Sequence, residues 1–80
     1  MKNSNEIETF LYNIAYLRKH NGLSKRKMAK ILHISTSTLN KIESGVLPPR
    51  ISANVIWRIK VHFDVNPDKQ FQINLEDSEI

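Results

Sequence analysis

Helix start and stop signals follow one another closely between residues 21 and 45, and this spacing limits the fold of the 80-residue chain more than any other feature. Asn21-Gly22 ends one helical pattern, and Ser24 and Ser35 each precede a new one as candidate N-caps. Ser44-Gly45 then supplies a stop. The segment therefore predicts two short helices joined by a turn of a few residues.

Helical periodicity on both sides of this unit predicts further helices. Before it, apolar residues recur at the i, i+3, i+4, i+7 spacing of one helix face, and Ser4 or Asn5 is the expected N-cap. After it, Pro48-Pro49 forces a connection, and Ser52 is placed to cap a helix over 53–63. Asn66-Pro67 suits the start of a last helical turn. The apolar face of the first helix comprises Ile7, Phe10, Leu11, Ile14 and Leu17.

The residues from Phe71 to Leu75 follow a different period. Phe71, Ile73 and Leu75 alternate with polar residues, and this alternation is typical of a strand. Such a strand could pair with the same segment of a second chain across a two-fold axis, or the segment could be a frayed tail. We therefore predict an all-α compact bundle of four to five short helices over 1–71, followed by an acidic tail over 72–80. The tail contributes to a short C-terminal β-strand if two chains pair there, and is otherwise frayed.

Length and composition exclude several classes of protein. Eighty residues make one domain, and the absence of cysteine excludes disulfides and thiolate zinc sites. Met1 leads into a polar, acidic stretch rather than a secretory signal, and no run of apolar residues is long enough to span a membrane. We therefore expect a cytoplasmic protein without membrane contact.

The charge is distributed unevenly along the chain. The formal net charge is +4, yet residues 17–60 contain ten basic residues and a single acid, Glu43, whereas the segments on either side are net acidic. A basic body with acidic ends is the electrostatic pattern of a polyanion binder. Lysines that merely solvate helix faces would give the same composition, so charge alone leaves both interpretations open.

The helix over 36–43 carries the side chains of chemical interest. At 100° per residue, small hydroxyls, an amide and a lysine occupy one arc, while Leu39 and Ile42 lie on another. The polar types are those that hydrogen-bond base edges, and two short helices joined by a tight turn form a helix-turn-helix. An ordinary amphipathic helix with a solvated face remains the alternative. The polar arc comprises Thr36, Ser37, Asn40 and Lys41.

The segment from Leu17 to Gly45, LRKHNGLSKRKMAKILHISTSTLNKIESG, resembles the helix-turn-helix domain of the Cro and phage-repressor (XRE-like) family of bacterial DNA-binding regulators. The resemblance covers roughly residues 10 to 71 and implies a bundle of four or five helices that binds duplex DNA sequence-specifically. It implies no cofactor and no small-molecule substrate. The matching positions are Leu17-Arg18, Gly22-Leu23-Ser24, Met28-Ala29, Ile34-Ser35, Leu39, Ile42, Glu43 and Gly45.

The resemblance also implies roles for individual residues. Arg18 and Glu43 match the family's salt bridge between the first helix and the end of the third. His33 stands where relatives usually have glycine, at a position that often needs a positive φ, which histidine tolerates better than bulky residues but at a cost. The positions that would read bases are Thr36, Ser37 and Lys41, and those that would approach the DNA backbone are Lys25, Ser35, Asn40, Ser44, Val46 and Arg50.

Catalysis has little support in the sequence. His20, His33 and His62 lie far apart with no carboxylate at metal-ligand spacing, and no serine stands in a nucleophile elbow.

The expected function is therefore that of a homodimeric transcriptional regulator, a repressor, on a two-fold DNA site. A protein-interaction module such as an antitoxin or anti-repressor, using Val46-Leu47 and the strand over 71–75, is the alternative. An RNA binder would need an exposed aromatic residue at Tyr12, Tyr16 or Trp57.

Overall fold

The computed structural model describes the backbone of residues 2–49 and 51–78 and the side chains of residues 6–49 and 51–76. Every regular element within these residues is helical, in agreement with the predicted all-α bundle. The elements are α1 (Lys2–His20), α2 (Lys25–Leu32), α3 (Thr36–Glu43), α4 (Ala53–Phe63), α5 (Pro67–Gln72) and a final turn α6 (Leu75–Ser78).

Both serine caps of the helix-turn-helix are confirmed. Ser24 Oγ accepts a hydrogen bond from the Lys27 amide, and Ser35 Oγ accepts one from the Thr38 amide, each at 3.0 Å. These bonds satisfy amides that have no partner within the helix. At the other end of α3, Gly45 adopts a φ of +84°, and the chain leaves the helix there as predicted.

The start of α1 differs from the prediction. The helix runs from Lys2, so Ser4 and Asn5 lie inside it and the prediction that one of them caps it was wrong. Both residue types cost only a few tenths of a kcal/mol to about 0.7 kcal/mol inside a helix, so a preference for caps does not force a boundary. Ser52 and Asn66 do occupy the cap positions of α4 and α5, but neither side chain makes a capping bond.

The core lies between α1 and the three helices that follow it. α1 packs against α3 and α5, and α2 packs against α3 and α4. The core therefore holds α3 from one side only and leaves its other side toward solvent. The buried apolar residues are Phe10, Leu11, Ile14, Leu17, Met28, Ala29, Leu32, Leu39, Ile42, Val55, Ile59 and Leu75.

The C-terminal segment is not a strand within the described residues, and that prediction was wrong. Phe71, in the last turn of α5, stacks on Phe10 with 4.3 Å between the ring centroids, and Leu75 begins α6 in a buried position. Ile73, directly after α5, has an extended backbone. An extended residue between two helical turns produces the same alternation of apolar residues as a strand, which explains the error.

A buried asparagine on α1 holds this segment in place. Asn13 Nδ2 donates to the carbonyls of Gln70 and Ile73, at 2.9 and 2.8 Å, and the Leu75 amide donates to Asn13 Oδ1 at 3.0 Å. The carboxamide thus satisfies backbone groups that would otherwise need a partner strand. We call these contacts the Asn13 clamp. The backbone groups that it bonds come before and after residue 71, the predicted boundary between the helical domain and the tail.

Among the described residues, no helix combines the length and the apolar character that crossing a membrane requires.

Candidate nucleic-acid interface

The exposed side of α3 is polar and its buried side is apolar. Leu39 and Ile42 are almost fully buried in the core. Thr36, Ser37 and Lys41, predicted to read bases, are exposed on the other side. Asn40, predicted to approach the DNA backbone, is exposed there as well. The structure therefore brings these four side chains together on the solvent-facing side of an eight-residue helix.

These four side chains are free to bind a ligand. Within the part of the chain that the structure describes, none of them makes a hydrogen bond or ion pair. Their hydroxyl, amide and ammonium donors would meet a base edge without first breaking an intramolecular bond. We call Thr36, Ser37, Asn40 and Lys41 the α3 polar face.

Three of the other predicted contacts lie at the ends of α3 with their donors already engaged. Ser35 donates its hydroxyl proton to Thr38 Oγ1 at 2.9 Å, and Ser44 donates its own to the Asn40 carbonyl at 2.9 Å. The Val46 amide donates to the Lys41 carbonyl at 2.9 Å, which completes the bonding pattern of the helix end. These groups hold α3 in shape, and a phosphate would compete with internal partners for their protons.

The basic residues of α2 lie next to α3 on the outside of the molecule. Lys25 is the first residue of α2, beyond its Ser24 cap, and it is exposed. Arg26, Lys27 and Lys30 are exposed as well. A cation at a helix N-terminus, where backbone amides lack partners, favours binding of an anion such as a phosphate. Arg50, another predicted backbone contact, lies outside the described residues.

The predicted pair of Arg18 and Glu43 is present and nearly buried. Arg18 Nε donates to Glu43 Oε2 at 2.5 Å and Nη2 donates to Oε1 at 3.0 Å, while Nη1 donates to the Leu23 carbonyl at 3.0 Å. The two side chains are 14% and 9% exposed. The pair thus joins α1 to the end of α3 and to the turn before α2. The hydrogen bond to Glu43 raises the pKa of Arg18, against the opposing effect of burial.

The turn of the helix-turn-helix has a left-handed residue at the position where relatives usually have glycine. His33 adopts φ 59° and ψ 43°, the left-handed conformation, and its side chain is exposed. Its amide donates to the Lys30 carbonyl at 3.2 Å. The positive φ sets the angle at which the chain leaves α2 and enters α3.

Sequence analysis missed one contact that positions the interface. Arg58, one of the ten basic residues between positions 17 and 60, turns inward and donates from Nε to the Ile31 carbonyl at 2.5 Å. This bond ties α4 to the C-terminal end of α2 and removes one cation from the basic surface. Only its place on the α2-facing side of α4 distinguishes it from the exposed bases.

The described residues contain no group of three or more histidine or carboxylate side chains that could hold a metal ion.

The helix-turn-helix family profile matches residues 14–70, which is more than half of the chain. The chain belongs to the Cro and phage-repressor-like (XRE-like) helix-turn-helix family. This family consists of DNA-binding regulators and is generally non-enzymatic, so the helix-turn-helix protein described here has the fold and the general type of function of a DNA-binding transcription regulator. Searches among curated proteins and among solved structures found no match to it.

Proposed function

We propose that this helix-turn-helix protein binds duplex DNA sequence-specifically and represses transcription, with α3 inserted into the major groove. The observation that carries the proposal is the α3 polar face, where four unpaired polar side chains stand on the exposed side of a helix in the most basic part of the chain. An α-helix fits the major groove, and these side chains match the donors and acceptors of base edges there.

The residues of the α3 polar face have distinct proposed roles. Lys41 donates to guanine O6 or N7, the Thr36 methyl contacts a thymine methyl, and Ser37 bonds either base type. Asn40 lies nearer the wall of the groove. Each role follows from the atoms that the side chain offers when no intramolecular bond occupies it.

Phosphate contacts fix the register of the protein on DNA. Lys25 is the strongest candidate, because it is exposed at the start of a helix. Arg50 and the groups at the ends of α3 (Ser35, Ser44 and the Val46 amide) are the further proposed contacts. The last three also stabilise the helix ends, so their substitution would affect stability as well as binding.

The protein is proposed to act in the cytoplasm as a homodimer on a two-fold DNA site. Each protomer measures about 30 × 28 × 20 Å. Two copies in contact therefore have their centres about 20 to 30 Å apart, comparable with the roughly 34 Å that separates successive major grooves on one side of the duplex.

A protein-interaction role, as an antitoxin or anti-repressor, has one observation in its favour. Val46 and Leu47 are 53% and 45% exposed in the loop after α3. In the other half of the surface for this role, Phe71 and Leu75 pack inward, and of the three apolar residues only Ile73, 39% exposed, faces solvent. The exposed aromatic residues that an RNA binder would need are present at Tyr12 and Trp57. Single-stranded RNA therefore serves as a competitor in the binding assay.

Selection of bound sequences from a random duplex pool tests the proposed function. We expect a palindromic sequence that binds about a thousandfold more tightly than a scrambled duplex. Weak, salt-sensitive binding to all duplexes with no enrichment, or tighter binding to single-stranded RNA, would refute it.

Two lysine variants separate the proposed roles on the selected duplex. Lys41→Ala should cost about 1 to 3 kcal/mol of binding free energy and relax the preference at one base position. Lys25→Ala should weaken binding to all sequences alike and reduce the slope of log affinity against log salt by about one. Titrations at several salt concentrations measure both effects, and identical behaviour of the two variants would contradict the assignment.

A further inference from the structure

One side of α4 is apolar and uncovered. Trp57 and Val61 are 60% and 58% exposed, and they are neighbours on the helix because they stand four residues apart. Val55 and Ile59, on the opposite side, are buried in the core. Ala53 is one turn before Trp57 and is exposed as well. We call the exposed surface of Ala53, Trp57 and Val61 the α4 face.

A helix that is apolar on both sides is normally covered on both sides. α4 packs against α2 and α5 through its buried side, and no described residue covers the α4 face. Trp57 alone leaves about 150 Å² in water if a full tryptophan surface is about 250 Å². Large aromatic residues surrounded by smaller apolar ones are typical anchors of protein interfaces.

The charges at the two ends of α4 indicate what covers this face. Asp64 follows the helix, three residues after Val61, and its side chain is 96% exposed with only a 3.8 Å contact to Lys60. At the other end, Ser52 makes no capping bond, so the first amides of α4 lack a side-chain partner. A negative group beside a helix N-terminus is favourable. The face thus carries an acid at one end and a site suited to an acid at the other.

We propose that the α4 face binds the same face of a second copy of this chain, with the two helices antiparallel about a two-fold axis near Ile59. In this arrangement Trp57 packs against the partner's Val61. Asp64 comes five residues after the axis position on its own helix. In an antiparallel pair it therefore faces the partner helix five residues before the axis position, at the N-terminal end of that helix. Two-fold pairing makes each contact twice. The proposal rests on the proposed function in one respect, because it names the surface of the dimer that a two-fold DNA site requires.

The size of the face sets the strength of the dimer. α4 has eleven residues and is about 16 Å long, so one helix face buries less than the roughly 800 Å² per partner of a standard stable interface. The free protein is therefore a weak dimer whose two copies are brought together on adjacent half-sites. DNA binding and dimerisation reinforce each other without being the same event.

Sedimentation equilibrium of the full chain, combined with fluorescence of its single tryptophan, tests the surface. With rising concentration we expect the mass to move from 9.3 kDa toward twice that value, while the emission of Trp57 shifts to shorter wavelength and becomes protected from iodide. Val61→Glu and Trp57→Gln should each weaken self-association at least tenfold. Asp64→Asn, which removes only the charge, should weaken it by a smaller factor.

Leu47→Gln is the matched control, because Leu47 is a similarly exposed apolar residue outside α4. It should dimerise as the wild type does, and circular dichroism should show all variants folded. The proposal is wrong if the wild type stays monomeric with Trp57 open to iodide at millimolar concentration. It is equally wrong if Val61→Glu and Trp57→Gln self-associate like the wild type.

Binding to one half-site and to the full palindrome separates this proposal from the proposed function. Val61→Glu should retain half-site affinity and lose only the cooperative gain on the palindrome. If the wild type dimerises through Trp57 but selects no DNA sequence, the α4 face stands and the proposed function fails. If the wild type selects a sequence and Val61→Glu keeps full cooperativity on it, the proposed function stands and the α4 face fails.

Discussion

At the scale of single residues, two positions adopt a backbone that most side chains avoid. His33 ends α2 with φ 59°, and Asp64 ends α4 with φ 57°. The left-handed conformation costs a residue with a Cβ atom roughly 1 to 2 kcal/mol, less for asparagine, aspartate and histidine. Both helices therefore stop at a residue where the chain tolerates strain in order to change direction.

Replacing His33 by glycine should raise the free energy of unfolding by about 0.5 to 1 kcal/mol, because glycine adopts a positive φ without the Cβ penalty. The greater flexibility of glycine in the unfolded chain offsets part of the gain. Urea unfolding at a fixed protein concentration measures the change. His33→Val is the opposite control and should lower stability by about 1 to 2 kcal/mol. A glycine variant less stable than the wild type would show that the imidazole makes a contact that outweighs the strain.

At the scale of helices, the Arg18–Glu43 pair determines how α3 sits on the core. Removing one partner should be costly, because the other charge is nearly buried. Arg18→Met should lower the free energy of unfolding by about 2 to 4 kcal/mol, and the double variant Arg18→Met/Glu43→Gln should be less destabilised than the sum of the single variants by about 1 to 3 kcal/mol. Denaturant unfolding of the four proteins measures this coupling. Additive effects would mean that the pair contributes nothing as a pair.

The pKa of Arg18 determines how its contribution to the stability of the protein depends on pH. The pKa of Arg18 is raised by its hydrogen bond to Glu43. A base with a raised pKa contributes stability that is complete below its pKa in the unfolded chain and is lost only as pH rises toward its folded value. Since arginine titrates far above neutrality, the Arg18 contribution should stay constant from about pH 6 to 9.

Local signals explain which elements could be predicted from the sequence. Ser24, Ser35 and Gly45 act on amides and carbonyls a few residues away, so the boundaries of α2 and α3 follow from the sequence alone. The pairing of Arg18 with Glu43, in contrast, was implied by the family resemblance and joins residues 25 positions apart. The boundaries of α2 and α3 needed no information from distant parts of the chain.

One error has its cause in a distant contact. The alternation from Phe71 to Leu75 predicts a strand until Asn13, about sixty residues away in sequence, is known to bond the backbone there. Two local contacts were not predicted either. The hydroxyl protons of Ser35 and Ser44 are accepted three and four residues away, by Thr38 Oγ1 and by the Asn40 carbonyl. Which donors remain free for DNA depends on such contacts.

At the scale of the whole molecule, the Asn13 clamp joins the two ends of the bundle. The family match covers residues 14–70, so the clamp lies at the edges of the matched range. Gln70 extends it, because its side-chain Nε2 donates to the carbonyls of Ile56 and Val65 at 3.1 and 2.9 Å. Two buried amides thus connect α1, α4 and α5 through backbone groups.

Asn13→Ala should lower the free energy of unfolding by about 2 to 4 kcal/mol, because it leaves two carbonyls and one amide of the 70–75 segment without their partner. Thermal and urea unfolding measure the loss. Asn40→Ala, an exposed asparagine in a helix, is the matched control and should change stability by less than about 0.5 kcal/mol. Equal stability of the Asn13 variant and the wild type would mean that water replaces the clamp without loss.

The Asn13 clamp also has a consequence for the order of events during synthesis. Its bonds close a loop of 57 to 62 residues, so α1 waits for its partner until residue 75 has left the ribosome. Until then Phe10 lacks the Phe71 ring that stacks on it, and Asn13 lacks the Leu75 amide that donates to it. One side of the core of the nascent bundle stays uncovered. Closing so long a loop is slow relative to the formation of neighbouring helices. The bundle is therefore complete only after residue 75 has been synthesised, and a fragment that already contains the whole helix-turn-helix is still an incomplete fold.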